Sequence, residues 1–374
     1  MTSVAFHVDP VFFQAPGGTG TYIRHLVPAL VRQDPGLDLK LFQSRFEDAS
    51  PERWMRSLWV EELPHGIRWL YPRWNLTGRP PLPAALASLE LVHAPSSVAV
   101  PPAAEGQKLV VTVHDLAFLV VPHVFPTLWR NLFRIGLRAT VRRADAIVAV
   151  SRNTAEDLLS RTRVDPAKVH VIPEAAAASP EEAGDPDEAI ARLKVPRPYL
   201  LFVGTLEPRK NMVRLIRAYR RAAATGLPHA LVLAGALGWR HQTLLREIAL
   251  YGPGDVVLTG PLAPAELDAL YRSAAAFIYP ALYEGFGLPV LEAMARGVPT
   301  ICSNTSSLPE VAGDAALGVN PASVREIASA IEVLLTDPAL MQRLADRGRA
   351  RAERFSWDET ARLTLQVYEK ALGR

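Results

Sequence analysis

Two glutamates, Glu284 and Glu292, bracket a glycine-rich turn in the second half of the chain. The turn follows a predicted strand that ends at Pro280 and precedes a predicted helix from about Leu288 to Arg296. Glycines before a helix allow a ligand to approach the free N–H groups of its first turn, so this helix start suits a diphosphate. The candidate phosphate ligands are the residues between the two glutamates: Gly285, Phe286, Gly287 and Leu288.

Carboxylates placed on either side of such a helix start accept hydrogen bonds from hydroxyl groups. The pair therefore suits a hexose at one end and a ribose at the other, with phosphate held between them. For each residue alone, a structural interpretation is stronger. Glu292 would then complement the helix dipole, and Glu284 would be a solvated acid in a loop.

Two adjacent cations, Arg209 and Lys210, follow another predicted strand that ends at Gly204. At the carboxyl end of a strand they can neutralise a leaving diphosphate, where negative charge accumulates as a glycosidic bond breaks. We take Gly204 and Thr205, at the beginning of this loop, as further candidate contacts of the bound ligand. The alternative is a solvated basic turn.

Two polar segments follow predicted strands in the first half of the chain. The segment from Pro16 to Tyr22 is a predicted glycine-rich loop before a helix at Ile23–Val31, and Gly18 is its candidate contact to a donor phosphate or an acceptor. His114 follows a buried strand, and a lone histidine at such a position is more often structural than functional. The next residue, Asp115, would either orient the ring of His114 or cap the next helix. Ser151 is a predicted N-cap.

The segment Thr127–Arg143 predicts a helix with a basic stripe beside an apolar one. The stripes recur every four residues: Arg130, Arg134, Arg138 and Arg142 beside Trp129, Phe133, Leu137 and Val141. Such a helix would dock on an anionic membrane, or it would be an ordinary core helix with a solvated arginine face. The pattern favours the second interpretation.

Composition and absent motifs exclude several classes of protein. The net charge is only +3, which does not indicate a nucleic-acid partner, and no apolar stretch is long enough to span a membrane. The N-terminus lacks the features of a secretory signal, so we expect a cytoplasmic protein. Asp185-Pro186-Asp187 is better interpreted as a helix cap than as a metal site, and Cys302 as a small core residue. We therefore predict no bound metal.

Short apolar runs alternate with amphipathic segments along the whole chain, which predicts parallel sheets built from βαβ units. We predict an α/β protein with two Rossmann-like, doubly wound domains facing across a cleft: residues 1–180 together with a terminal helix at 356–374, and residues 198–355, joined by a connector at 181–197. The predicted strands are Val4–Val8, Leu39–Gln43, Leu89–His93, Leu109–Val113, Ala146–Val150 and Val169–Ile172, then Tyr199–Val203, Ala230–Leu233, Val256–Leu258, Ala275–Tyr279 and Thr300–Cys302.

The segment from Glu284 to Ala293 resembles the E-x7-E motif of the GT4 family of glycosyltransferases, which have the GT-B fold. The resemblance implies that Glu284 contacts the transferred sugar, that Glu292 contacts the nucleotide ribose, and that His114 hydrogen-bonds the donor sugar near its anomeric centre. It also implies a retaining enzyme that needs no metal or other cofactor. The basic loop is similar to the family pattern Gly-Arg-x-x-x-x-Lys, with Lys210 at the lysine position. Thr205 stands where the family has arginine, and we expect Arg209 to supply the missing charge.

The segments Val113–Phe118 and Gly204–Asn211 look most like those of bacterial mannosyltransferases, which implies GDP-mannose as the donor, with UDP-glucose left open. The expected function is transfer of a hexose to a carbohydrate or lipid-linked acceptor in the synthesis of envelope polysaccharide or glycolipid. Two other classes share such a fold: a nucleotide-sugar epimerase and a non-catalytic sugar-nucleotide binding protein. The epimerase would need carboxylates placed at the sugar ring hydrogens, and the sequence offers no such set.

Overall fold

The computed structural model describes residues 2–13, 17–47, 50, 52–177, 179, 184–250 and 255–374. The chain divides into two compact units, Met1–Glu174 with Ser356–Arg374, and Ala175–Phe355. Three residues of the predicted connector, 181–183, lie outside the described part of the chain.

The described part of the first unit contains a seven-stranded parallel sheet in the order β3-β2-β1-β4-β5-β6-β7. Its central strands are buried along most of their length, as expected for a parallel sheet covered by helices on both faces. The strands are β1 Ser3–His7, β2 Asp38–Gln43, β3 Trp59–Glu62, β4 Leu91–Ala94, β5 Lys108–Val113, β6 Ala146–Ala149 and β7 Val169–Val171.

The helices of the first unit connect these strands, except for the last helix of the chain, which returns to pack on the first helix. The side chain of Ser356 caps the last helix by accepting a hydrogen bond from the backbone N–H of Glu359. The helices are α1 Gly17–Gln33, α2 Ile67–Thr77, α3 Ala84–Ala87, α4 Ala117–Val120, α5 Thr127–Arg143, α6 Arg152–Arg161 and α15 Trp357–Ala371.

The described part of the second unit contains a six-stranded parallel sheet in the order β10-β9-β8-β11-β12-β13. Its strands are β8 Tyr199–Val203, β9 Ala230–Ala234, β10 Val256–Gly260, β11 Ala276–Tyr279, β12 Thr300–Ser303 and β13 Ala316–Val319. Its helices are α7 Pro186–Arg192, α8 Met212–Ala223, α9 Gln242–Ala249, α10 Pro264–Ser273, α11 Leu288–Ala295, α12 Leu308–Ala312, α13 Val324–Thr336 and α14 Pro338–Ala352.

Both sheets have the doubly wound strand order in which the chain reverses direction beside the first strand of the unit. The predicted fold class, two Rossmann-like domains, is therefore confirmed. In such sheets a ligand binds beyond the carboxyl ends of the two strands at the reversal. In the second unit those strands are β8 and β11, so the topology brings the loop with Lys210 beside the loop with Glu284.

The structure corrects the prediction for the first glycine-rich segment. Residues from Gly17 onward form the first turns of α1, so Gly18 is an exposed residue of a helix and does not lie in a loop. Each glycine lowers helix propensity by about 1 kcal/mol. The buried face of α1, which includes Tyr22, Ile23 and Leu26, offsets that cost through packing. Pro16 lies outside the described residues.

Candidate active site

The loop between β8 and α8 is held by its backbone. Its N–H groups at Gly204 and Leu206 donate to the carbonyl oxygens of Ala234, which ends β9, and Ala236, at 2.9 and 2.8 Å. A Cβ atom on Gly235 would lie 2.2 Å from the carbonyl oxygen of Gly204, so the two loops approach this closely only because Gly235 has no side chain. The buried Asn211 ends the loop with φ +67° and donates from Nδ2 to the carbonyl oxygens of Pro280 and Pro321 at 2.9 and 2.7 Å. The loop therefore has a fixed position relative to the end of β11.

Lys210 projects from this loop into a buried polar cluster. Its Nζ atom donates to Oε1 of Glu284 at 2.7 Å and to the hydroxyl of Tyr279 at 2.6 Å. Only 8% of Lys210 and 6% of Glu284 are exposed. Glu284 is therefore a buried ion-pair partner, and the alternative of a solvated loop acid is wrong.

Arg209 lies beside the same carboxylate and has a second acidic partner. Its Nε and Nη2 atoms are each 2.9 Å from Oε1 of Glu207. Its Nη1 atom donates to the carbonyl oxygen of Tyr283 at 3.1 Å and lies 3.3 Å from Oε1 of Glu284. Arg209 and Lys210 thus bring two positive charges to one carboxylate, and neither belongs to a solvated basic turn.

The charges of this cluster follow from its contacts. Burial alone would raise the pKa of Glu284, but Arg209 and Lys210 outweigh burial and lower that pKa, so the carboxylate is ionised. Burial and the neighbouring Arg209 lower the pKa of Lys210, while burial raises the pKa of Glu207. Two cations and two carboxylates therefore occupy one site of low dielectric constant.

Two serines position the turn that carries Glu284. The hydroxyl of Ser307 donates to the carbonyl oxygens of Glu284 and Phe286 at 3.0 and 2.7 Å, and the N–H of Glu284 donates to the hydroxyl of Ser306 at 3.0 Å. Gly287 then precedes α11 with φ +116°, a conformation that side chains rarely adopt. Pro289 lies in the first turn of α11, where a proline is well tolerated because the first N–H groups of a helix have no intrahelical partner.

Glu292 lies on α11 and is partly exposed. Its Oε2 atom accepts a hydrogen bond from the hydroxyl of Tyr271 at 2.9 Å. Burial raises the pKa of Glu292, and the hydrogen bond from Tyr271 and the charge of Arg296 oppose that rise. The partly exposed carboxylate thus has a fixed orientation on the helix that begins next to Glu284.

In the first unit, His114 follows β5 and both of its ring nitrogens have partners. Nδ1 lies 2.9 Å from Oε1 of Glu174, and Nε2 lies 2.8 Å from the carbonyl oxygen of Pro95. Asp115 caps the next helical turn by accepting a hydrogen bond from the N–H of Ala117 at 3.0 Å, so of its two suggested roles the structure shows the cap. Ser151 caps α6 as predicted, since its hydroxyl accepts from the N–H of Thr154.

The sequence did not single out five residues of these clusters: Glu174, Glu207, Tyr279, Ser306 and Ser307. Tyr279 ends an apolar strand and resembles a core residue, and the serines come from a later loop. Glu174 offered a usable signal. It is a buried acid just after the last strand of its sheet, the kind of position at which polar residues meet ligands or one another.

The basic helix α5 has the predicted bounds and is only partly buried. Its C-terminal half is packed, with Leu137 buried, whereas its N-terminal end exposes Leu128 and Trp129 to 68% and 47%. Arg138 and Arg142 are exposed, and Arg130 and Arg134 are intermediate. The exposed apolar side chains at the start of the helix depart from the expectation for an ordinary core helix.

Two smaller predictions are confirmed. Asp185 caps α7 by accepting a hydrogen bond from the N–H of Asp187 at 2.9 Å, and Cys302 is buried at 2% exposure in β12. Within the residues that the structure covers, no three or more His, Cys, Asp or Glu side chains group as a metal site would require. In the same residues, no helix combines the length and apolar character of a membrane span.

Comparison with known proteins matches both halves of the chain to glycosyltransferase families. Residues 16–179 match the model of Glycosyltransferase Family 4, and residues 185–351 match that of Glycosyl transferases group 1. The chain is 33% identical to the O-antigen chain mannosyltransferase B of Escherichia coli over 70% of each protein. It is 34% identical to the serotype-specific mannosyltransferase WbdA of the same organism over 64% of this chain and 30% of that longer protein.

Solved structures show the same fold over 99% of this chain. They include sucrose-phosphate synthase from Thermosynechococcus elongatus, at TM-score 0.76 and 22% identity, and HepE from Anabaena in complex with UDP-glucose, at TM-score 0.74 and 18% identity, each covered over 99% of its own length. Fold and family matches together define a glycosyltransferase. The chain belongs to the GT4 family of glycosyltransferases, of GT-B type, and is similar to bacterial mannosyltransferases.

Proposed function

We propose that this glycosyltransferase moves a mannose from GDP-mannose to a hydroxyl of a growing envelope polysaccharide, with retention at the anomeric carbon and without a metal ion. The observation that carries the proposal is the buried cluster of Arg209, Lys210 and Glu284 next to the start of α11, at the strand reversal of the second sheet. HepE, which shares the fold, binds UDP-glucose, and the mannosyltransferase relatives favour mannose.

In this mechanism the cations and the N–H groups at the start of α11 stabilise the departing diphosphate. Arg209 supplies the charge that the family arginine would bring at Thr205. The oxygen of the leaving diphosphate accepts the proton of the acceptor hydroxyl, so no protein nucleophile is needed. Glu284 and His114 position the hexose, Glu292 holds the ribose, and Gly18, Gly204 and Gly285 offer backbone contacts to the donor.

A donor panel tests this proposal. GDP, UDP, GDP-mannose and UDP-glucose are compared for their effect on the melting temperature, with and without EDTA, and turnover is then measured with mannosylated acceptors. We expect GDP and GDP-mannose each to raise the melting temperature by the same amount with EDTA as without it. The anomeric NMR signal of the product should show the same anomeric configuration as the donor. An inverted product, or loss of binding in EDTA, contradicts the mechanism.

The same panel separates the rival functions. Incubation with the donor alone yields a sugar isomer if the protein is an epimerase and leaves the donor unchanged if it is a transferase. A binding protein would be stabilised by the donor yet release no nucleoside diphosphate with any acceptor. Lys210→Met should lower turnover by about 10²–10³-fold, whereas Lys194→Met, at an exposed lysine of the same unit, should leave it unchanged.

The exposed end of α5 supports a peripheral contact with an anionic membrane, where a lipid-linked acceptor would reside. Leu128 and Trp129 would enter the interface, and the arginines of the helix would face the lipid phosphates. We expect sedimentation with phosphatidylglycerol vesicles that is lost with neutral vesicles and at high salt. Leu128→Ser with Trp129→Ser should abolish it, and Leu250→Ser, at an exposed leucine of the other unit, should not. Equal binding by all variants refutes this contact.

A further inference from the structure

The hydrogen bonds of His114 determine its protonation state. The carbonyl oxygen of Pro95 can only accept, so Nε2, which lies 2.8 Å away, carries a proton. Nδ1 lies 2.9 Å from a carboxylate oxygen of Glu174, which also accepts, so an ionised Glu174 places a proton on Nδ1 as well. With Glu174 ionised, the doubly protonated imidazolium is the form of His114 that satisfies both contacts at once.

The surroundings of His114 supply one strong counter-charge. Glu174 follows β7 with a side chain that is 4% exposed, against 19% for His114. Asp115, next along the chain, adds a second negative charge, although its carboxylate caps Ala117. Burial alone would lower the pKa of His114, but the hydrogen bond and charge of Glu174 outweigh it, and the pKa is raised.

The other groups that face the ring are neutral. Tyr22 of α1 meets the ring edge-on, with ring centroids 4.9 Å apart, and its buried hydroxyl has a raised pKa. His93 of β4 is fully buried, and its pKa falls to about 3 because burial penalises the charged form. Its two ring nitrogens contact only the hydroxyls of Tyr368 and Thr112. Of the two histidines, only the one beside a carboxylate is held as a cation.

We propose that Glu174 is a positioning residue of this glycosyltransferase, which keeps His114 doubly protonated with its ring fixed, and that turnover requires this state. This inference rests on the proposed function in one respect, the place of His114 at the donor sugar. Because both ring N–H groups already have acceptors inside the unit, neither is left for the hydrogen bond to the donor sugar that the resemblance implied, and His114 acts on the sugar through the fixed position and charge of its ring. Glu174 is also the last residue of its unit, so the pair fixes the point at which the chain leaves the first sheet.

Glu174→Gln removes the negative charge of residue 174 and nearly preserves the size and shape of its side chain. A glutamine amide can donate to Nδ1, so the neutral ring keeps both hydrogen bonds and His114 no longer gains from protonation. Without the carboxylate, the pKa of His114 falls to or below the ordinary value of about 6.5. A ring with such a pKa is protonated to at most about a tenth at pH 7.5. We therefore expect kcat of the variant to rise at least several-fold as the pH is lowered from 7.5 towards 6, and kcat of the wild type to change less over this range. Glu174→Asp should restore part of the wild-type profile.

If the role of Glu174 is purely structural, the substitution either leaves the pH dependence of kcat unchanged or lowers kcat by the same factor at every pH. Either outcome overturns the proposal. Glu369→Gln, at an exposed carboxylate of the same unit, is the matched control and should follow the wild type. Stabilisation of Glu174→Gln by GDP verifies that the donor site is intact.

A direct measurement covers the case in which Glu174→Gln does not fold. The Hε1 resonance of His114 in the wild-type protein, assigned by its loss in His114→Gln, should titrate above the ordinary histidine value of about 6.5. Titration at or below 6.5 overturns the inference. Because this NMR measurement needs no substrate, it decides the protonation state even if no nucleotide sugar is turned over, an outcome that would count against the proposed function instead.

Discussion

Lys210→Met removes one charge from the buried cluster while keeping an apolar side chain of similar length. The substitution leaves Glu284 buried, ionised and without the partner that donates to it at 2.7 Å. Loss of one partner of a buried ion pair costs about 3–5 kcal/mol. Since Nη1 of Arg209 remains 3.3 Å from the same oxygen, we expect the lower end of that range, about 3 kcal/mol. For a unit of this size, that is a fall in melting temperature of about 6–12 °C.

The effect on turnover has a different origin and should be separable. Removal of one electrostatic donor at a developing negative charge lowers kcat by about 10²–10³-fold. Glu284→Gln, added to Lys210→Met, neutralises the unpaired carboxylate and should restore at least half of the lost melting temperature. It cannot replace the positive charge, so turnover should stay low in the double variant.

Calorimetry and initial-rate measurements with GDP-mannose on the wild type, both single variants and the double variant complete this cycle. Turnover of Lys210→Met within about threefold of the wild type would remove Lys210 from the chemistry, since loss of one donor predicts about 10²-fold. A further fall in melting temperature on adding Glu284→Gln would show that the carboxylate stabilises the fold by contacts other than this pair.

Three further outcomes are expected. Gly235→Ala should abolish stabilisation by GDP, because its new Cβ would lie 2.2 Å from a carbonyl oxygen of the loop that carries Arg209 and Lys210. Gly184→Ala, with open space around the new Cβ, should bind GDP as the wild type does. Equal binding of GDP by the two variants contradicts this account. Tyr368→Phe leaves Nδ1 of the buried His93 without its 2.6 Å partner, which should cost about 1–3 kcal/mol of unfolding free energy; an unchanged melting temperature would show that the contact contributes nothing. Cys302, whose pKa burial raises to about 12, should react with a thiol reagent at pH 8 only after unfolding, so rapid labelling of the native protein would refute its burial.

Two of the strands were missed because they lie at sheet edges. Trp59–Glu62 is half charged and partly exposed, and Ala316–Val319 contains a glycine, so neither shows the continuous apolar run of a buried parallel strand. The interior strands carry that run and were located to within a few residues. The start of α1 was misplaced for a different reason. Local propensity predicts a loop at its glycines, and packing decides otherwise.

The sequence by itself determined the class of this protein, because both of the necessary signals are local patterns. The alternation of strands and helices indicates the fold, and the motif from Glu284 to Glu292 indicates the family. It also indicated which loops form the candidate site, since ligands bind parallel sheets at the carboxyl ends of their strands. Only the tertiary structure decided the partners of those residues. Glu284 pairs with Lys210, and His114 with Glu174, across long sequence separations. Charge states follow from such contacts and from burial, and neither is written in the local sequence.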